Sequence, residues 1–154
     1  MRVIVHLAAE VATPFSQSFL TEVVEETLKR CPMLPANAET ITLNAIAVSG
    51  EKIRELNQTY RGKDTETDIL SFGEYTDSGA LISEQQPEIF LGELFFCQDF
   101  ITQAAAEDGI TLVHEMIYIF SHGVLHLLGY DHSNKMFAIQ DAVTEHLRVK
   151  CTYQ

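Results

Sequence analysis

Three of the six histidines in this 154-residue sequence fall within eleven residues: His122, His126 and His132. Residues four apart project from the same face of a helix, so the first two imidazoles can reach one ion. Gly129 follows where a helix can end in the left-handed conformation, and the returning chain can bring the third imidazole to the same point. Three neutral imidazoles with an open fourth position are typical of catalytic zinc. We therefore predict one zinc ion per chain and hydrolytic chemistry, rather than three unrelated histidines on a buried amphipathic helix.

The residue after the first histidine bears on which bond is hydrolysed. The spacing His-x-x-x-His-x-x-Gly-x-x-His is that of the metzincin proteases, which carry a general-base glutamate directly after the first histidine. This chain has Gly123 at that position. A general base contributes roughly 10²–10⁴-fold to the rate, so a zincin peptidase mechanism is disfavoured.

Composition sets the outer limits of the interpretation. With 46% apolar and 21% charged residues, the sequence is typical of a globular protein, and residues 1–154 are expected to form a single domain. The apolar runs are too short to span a bilayer, so we expect no membrane association. Three widely spaced cysteines without a Cys-x-x-Cys pair favour reduced thiols and a cytoplasmic location. The net charge of −12 argues against non-specific nucleic-acid binding.

The elements that would position the histidines can be read from periodicity and capping residues. Four segments have the character of strands: 2–8, 40–48, 68–72 and 89–97. Helices are predicted from Thr13-Pro14 to about residue 30, after Ser49 with Tyr60 on its inner face, at 101–106, from a Thr111 cap to about Leu128, and at 134–150. Residues 73–88 are predicted to be a surface loop. Strands and helices alternate at first and helices follow alone, which predicts an α+β domain with helices packed on one mixed sheet.

Two blocks of the sequence resemble the YbeY family of rRNA maturation factors. The first is His122-Gly-Val-Leu-His126-Leu-Leu-Gly-Tyr-Asp-His132. The second runs from Leu56 to Phe72 and contains Asn57, Tyr60-Arg61 and Thr67-Asp68-Ile-Leu-Ser-Phe, and the Leu-Gly-Glu step at 91–93 is similar to a third family element. Gly73 and Glu66 stand where the family usually has proline, and Glu93 stands where it has aspartate.

The resemblance implies a function as well as a fold. It implies a zincin-like fold, zinc held by His122, His126 and His132, and a single-strand-specific endoribonuclease acting in 16S rRNA maturation and ribosome quality control. It also implies a catalytic role for Arg61 beside the metal, where a guanidinium could hold a phosphate bidentately. The alternative is a surface ion pair of Arg61 with Asp64 or Asp68. The expected substrate is single-stranded RNA rather than DNA. Because the chain is acidic, the ribosome or a ribosomal protein is expected to deliver it.

Two other hypotheses remain open at this point. The same ligands could serve a peptidase or ester hydrolase. Alternatively, zinc could be structural in a non-catalytic ribosome-assembly factor, which requires a fourth protein ligand such as Cys97, Asp131 or His114. Asp131 could instead orient a histidine or cap the last helix, and Glu115 is predicted to point away from the metal.

Overall fold

The computed structural model describes residues 1–32 and 34–148. Within these ranges the strands are β1 (Arg2–Ala9), β2 (Thr40–Val48), β3 (Ile69–Phe72) and β4 (Glu88–Cys97). The helices are α1 (Gln17–Lys29), α2 (Gly50–Arg61), α3 (Gln98–Asp108), α4 (Leu112–Leu127) and α5 (Asn134–Arg148), and a 3-10 turn spans Leu81–Ser83. The predicted α+β class is confirmed.

The sheet is mixed and its strand order is β1-β2-β4-β3. The first three strands are parallel, and β3 pairs antiparallel with β4 at the edge. The register between β2 and β4 shifts between Thr42 and Asn44, opposite the part of β4 that contains Gly92. Because β3 is an edge strand, one of its sides is free to border a cleft.

The two faces of the sheet are covered unequally. Helices α1, α4 and α5 pack on one face and enclose the main core, to which β2 contributes Ile41, Leu43 and Ala45. On the other face a smaller cluster lies under α2, where Ile53 packs with residues of β2, β3 and β4. The alternation of buried side chains along β2 between these clusters is the period-two pattern expected of a strand.

The helix boundaries confirm most of the capping predictions and correct one of them. The hydroxyls of Ser49 and Thr111 accept hydrogen bonds from the third residue beyond them, as predicted for N-caps. Helix α1 begins at Gln17 rather than after Thr13, since Ser16 accepts the bond from Phe19 N at 3.0 Å. Ser16, three residues after Thr13, is the N-cap because its hydroxyl reaches the backbone nitrogen of the third residue beyond it.

Of the remaining predictions, the surface loop is confirmed in large part and the inward orientation of Tyr60 is wrong. The loop at 73–88 is largely irregular, but its 3-10 turn buries Leu81 at 2% exposure. Tyr60 does not face inward, since it is 62% exposed. The predicted end of the last helix, residues 149–150, and Cys151 lie outside the described residues. Cys31 and Cys97 are buried free thiols, and no helix in the described part of the chain is both long and apolar enough to cross a bilayer.

Candidate metal centre

The three predicted histidines converge on one point at the end of α4. His122 and His126 lie one turn apart on the helix, and their Nε2 atoms are 3.0 Å apart. Gly129 then adopts φ +93°, which reverses the chain, and Tyr130 N returns a hydrogen bond to Leu125 O. This turn places His132 Nε2 3.3 Å from His122 Nε2. The helix repeat and a left-handed glycine are therefore sufficient to assemble the cluster.

Hydrogen bonds on the far side of two rings fix which nitrogen faces the centre. His126 Nδ1 lies 3.0 Å from the carbonyl oxygen of Tyr130. His122 Nδ1 lies 3.2 Å from Gln140 Oε1, whose amide nitrogen donates to Tyr118 O. A carbonyl can only accept, so both Nδ1 atoms carry the proton and both Nε2 lone pairs point inward. Such partners are the usual supports of metal-binding histidines.

The donor set fits a tetrahedral cation. Zn–N bonds of about 2.0–2.1 Å in a tetrahedron separate the nitrogens by about 3.3–3.4 Å, close to the 3.0 and 3.3 Å between the Nε2 atoms. Burial lowers the pKa of both His122 and His126, and this keeps the imidazoles in the neutral form that binds metals. The three residues could therefore hold a metal ion.

The fourth ligand considered for structural zinc does not join this group. Among residues 1–32 and 34–148, the group of side chains close enough to share an ion consists of the three histidines. Cys97 lies in the cluster under α2, on the other face of the sheet. His114 lies two turns earlier on α4, near Glu145 of α5, and Asp131 is exposed beside the turn. Within the described chain, the geometry is that of an open site with three protein ligands.

The cluster lies in an open cleft of about 760 Å³. One wall is formed by the end of α2 and by β3, with Arg61, Lys63 and Phe72 in the lining, and the histidines and Tyr130 form the other wall. The cleft therefore brings the two sequence blocks together, with a metal-binding group on one side and two cationic side chains on the other.

Arg61 is held in place by the edge strand. Its Nη2 donates to the carbonyl oxygen of Ser71 at 2.8 Å, and its guanidinium carbon lies 5.0 Å from the centre of the Phe72 ring. The alternative ion pair with Asp64 is not formed, because that carboxylate accepts two hydrogen bonds from Arg54. The guanidinium has five N–H groups, so this anchor leaves donors for a ligand in the cleft.

Gly123 explains why α4 can approach the sheet so closely. A Cβ atom at this position would lie 2.8 Å from Ile69 Cδ1 and 3.0 Å from Leu94 Cδ2. The carbonyl oxygen of Gly123 also accepts a hydrogen bond from the Ser71 hydroxyl at 3.1 Å. The position that carries glutamate in the metzincins thus faces the packed sheet, where any side chain would displace Ile69 and Leu94.

Comparison with known proteins agrees with the two sequence blocks. The family model described as Endoribonuclease YbeY matches residues 7–148. The chain belongs to the endoribonuclease YbeY family. The predicted family, one of hydrolytic nucleases, is therefore confirmed.

Individual relatives match over most of their length. A protein of Bdellovibrio bacteriovorus named Endoribonuclease YbeY is 37% identical over 142 residues, which cover 88% of this chain and 87% of the relative. A protein of the same name from Persephonella marina is 31% identical, covering 86% of this chain and 84% of the relative. The solution structure of TM1509 from Thermotoga maritima superposes with a TM-score of 0.60 at 28% identity, covering 96% of this chain and 91% of that one.

Sequence reasoning did not single out Gln140, the residue that supports His122. Gln140 is fully buried on α5, where its neighbours in the helical pattern are apolar. An amide at a core position requires partners, and that was the available signal. Glu115, predicted to point away from the metal, is buried on α4 and does not line the cleft. The histidine cluster, in contrast, was predicted from the spacing of the histidines, and a position for Arg61 beside it was expected from the family resemblance.

Proposed function

We propose that this chain is a single-domain, zinc-dependent endoribonuclease specific for single-stranded RNA. His122, His126 and His132 bind one zinc ion, and Arg61 acts on the substrate phosphate. The biological role is cleavage of precursor RNA in 16S rRNA maturation and in ribosome quality control, in the cytoplasm. The proposal unites membership of the endoribonuclease family with a cleft that carries both groups needed for phosphodiester hydrolysis.

One observation carries this proposal: three inward-facing Nε2 atoms and an anchored guanidinium line the same cleft. A zinc ion bound there supplies a Lewis acid and lowers the pKa of its water to about 7. The protein supplies the orientation of the substrate. Arg61 donates its remaining N–H groups to a phosphate oxygen and offsets the negative charge that develops on the phosphoryl group.

The tertiary structure weighs against peptide hydrolysis. A zincin peptidase uses a glutamate after its first histidine, whereas position 123 is a glycine that faces β3 and β4, where a Cβ would meet Ile69 and Leu94 at 3.0 Å or less. Among the described residues, the group that could hold a metal ion consists of three histidines and contains no carboxylate. A phosphodiester is the better substrate for this cleft, because its anionic oxygens match Arg61 and Lys63, whereas a peptide carbonyl carries no charge.

The acidity of the chain explains why a delivery partner belongs in the proposal. At a net charge of −12, long-range electrostatics repel free RNA, and two cations in the cleft act only at close range. We therefore assign the approach of the RNA to the ribosome or a ribosomal protein, and its final positioning to the cleft.

The test combines metal analysis with cleavage assays. Purified protein should contain one zinc per chain by mass spectrometry and should cleave a single-stranded RNA, but not the same sequence in a duplex. A chelator should abolish cleavage, and re-addition of Zn²⁺, Ni²⁺ or Mn²⁺ in turn should identify the metal that restores it. Peptide and ester substrates run in parallel would reveal the competing hydrolases.

Two histidine variants of the same helix provide a matched comparison. His126→Ala should lose both the zinc and RNA cleavage, because two imidazoles remain. His114→Ala, two turns away from the cluster, should retain both. Full RNA cleavage by a zinc-free His126→Ala protein would contradict the proposal, and zinc retention without any cleavage by the wild type would favour a structural metal in an assembly factor.

A further inference from the structure

Two exposed aromatic side chains each contact a residue that lines the cleft. Tyr60 is 62% exposed at the end of α2, and its ring centre lies 5.2 Å from that of Phe72, which lines the cleft. Phe137 is 39% exposed near the start of α5, and its ring centre lies 6.1 Å from that of His132, with an angle of 17° between the ring planes.

Neither ring serves to fill the core. Helix α2 buries Ile53 and Asn57, and α5 buries Met136 and Ile139 beside the aromatic residue. Large aromatic groups left in water forgo the stabilisation that burial provides. The exposed part of each ring is consequently available to a flat partner such as a nucleic-acid base.

Cationic side chains lie beside the aromatic pair on the wall formed by α2 and β3. Arg61 follows Tyr60 directly in the chain and lies against the same Phe72 ring, and Lys63 lies in the same cleft. A cation beside a stacking surface is the arrangement by which proteins hold single strands, with the phosphate on the charge and the base on the ring. On the opposite wall, Phe137 lies beside a residue of the metal group. Tyr60 thus contacts a residue of the wall that contains Arg61, and Phe137 contacts a histidine of the other wall.

We propose that Tyr60 and Phe137 bind the bases of the two nucleotides that flank the scissile phosphodiester. This inference rests on the proposed endoribonuclease function and names the substrate feature that the cleft recognises. It also gives a physical reason for single-strand specificity. Bases in a duplex are stacked on each other and paired, so their faces cannot reach the two rings without melting the helix.

An abasic scan tests the stacking directly. A short single-stranded RNA is prepared with one abasic ribose at each position in turn, which removes a base but keeps every phosphate. Binding to the full-length, metal-loaded protein is measured by fluorescence anisotropy at low temperature, and a gel checks that the RNA stays intact. For the wild type, affinity should fall about 5- to 150-fold at two positions, the range expected for one base stacked on an aromatic ring.

The variants assign each position to a ring. Tyr60→Ala should remove the loss at one position and Phe137→Ala the loss at the other, whereas Tyr60→Phe should restore the wild-type pattern because the ring face is kept. Phe100→Ala, which removes a 37% exposed aromatic side chain from α3, should leave the pattern unchanged. Equal weakening of every oligonucleotide by Tyr60→Ala would overturn the proposal, since a structural role lowers affinity for all of them alike. Wild-type protein that binds no RNA, or loses no affinity at any abasic position, would also overturn it.

The abasic scan and the cleavage assay can refute the stacking proposal and the endoribonuclease function separately. If the wild type shows the two position-specific losses but cleaves no RNA, base stacking stands and the endoribonuclease function falls. If it cleaves RNA and the alanine variants leave the abasic pattern unaltered, the function stands and the stacking assignment falls. If the Tyr60→Ala and Phe137→Ala variants bind RNA as the wild type does but lose tight binding of another protein, the rings serve a protein partner instead.

Discussion

Replacing Gly123 with alanine tests how closely α4 must approach the edge of the sheet. The added Cβ would lie 2.8 Å from Ile69 Cδ1 and 3.0 Å from Leu94 Cδ2. These two residues are 8% and 0% exposed, so neither side chain can swing into solvent. The neighbours must shift by several tenths of an ångström or the helix must move away from β3 and β4.

The expected change in stability is the difference between two terms. Alanine gains about 1 kcal/mol over glycine in helix propensity. An extra methyl group in a packed core costs about 1–3 kcal/mol. The variant should therefore lose up to about 2 kcal/mol in the free energy of unfolding, which lowers Tm by up to about 8 °C for a chain of this size.

Activity should fall more than metal binding does. The three histidines lie on α4 and the turn after it, so they move together and keep their spacing. Arg61 is bonded to Ser71 on β3, and the Ser71 hydroxyl is bonded to Gly123 O. Displacing α4 from β3 therefore changes the distance between the arginine and the metal. A misplacement of about 1 Å can cost on the order of 100-fold in rate, so we expect kcat to fall at least about tenfold with zinc content unchanged.

The assay is a thermal melt, zinc analysis and RNA cleavage on the same preparation. Gly50→Ala is the control for stability, because its Cβ would meet the carboxylate of Glu66, an exposed side chain that can move aside. A Gly123→Ala protein that melts at or above the wild-type temperature and cleaves RNA at the full rate would refute the argument that close packing at this position sets the geometry of the cleft.

Three further predictions concern individual side chains. Arg61→Ala should keep its zinc but lose about 100-fold in kcat/KM on RNA. Arg54→Ala, which removes a surface ion pair outside the cleft, should keep the wild-type kcat/KM, and equal losses in the two variants would remove Arg61 from the mechanism. Hydrogen bonds from Arg30 and Lys29 lower the pKa of the buried Glu26 carboxylate to about 2, so its ionised form contributes at most about 3 kcal/mol to the free energy of unfolding. In denaturant titrations of the wild type, this contribution should be lost as the pH falls from about 4.5 to about 2. An equally large acid-induced loss in Glu26→Gln would refute this assignment. Burial and nearby aspartates raise the pKa of Glu115, and its Oε2 lacks a hydrogen bond, so the ionised carboxylate is destabilising. Glu115→Gln should therefore raise Tm at about pH 8, and this gain should vanish near about pH 4, where the wild-type carboxyl is mostly neutral. A gain in Tm that does not depend on pH would contradict the assignment.

The local features of the metal centre could be predicted from the sequence because they depend on neighbouring residues. The helix repeat places His122 beside His126, and the left-handed turn at Gly129 returns His132 to them, with all interactions inside eleven residues. The caps Ser49 and Thr111 follow from side-chain bonds over three residues. The α+β class followed from the order of elements, since alternating and apolar segments report the period of each element.

Tertiary packing decided which partners these residues have. Ser71 is 52 residues from Gly123, and Gln140 is 18 residues from His122, and no local pattern specifies either hydrogen bond. Helical periodicity placed Tyr60 inside, and the structure turns it outward, because α2 covers only part of the second sheet face and leaves its last turn at the border of the cleft. The sequence by itself determined the three histidines that converge and the turn that gathers them. Which wall faces them, and how closely, depends on contacts between residues distant in the chain, which form only when the sheet and helices pack.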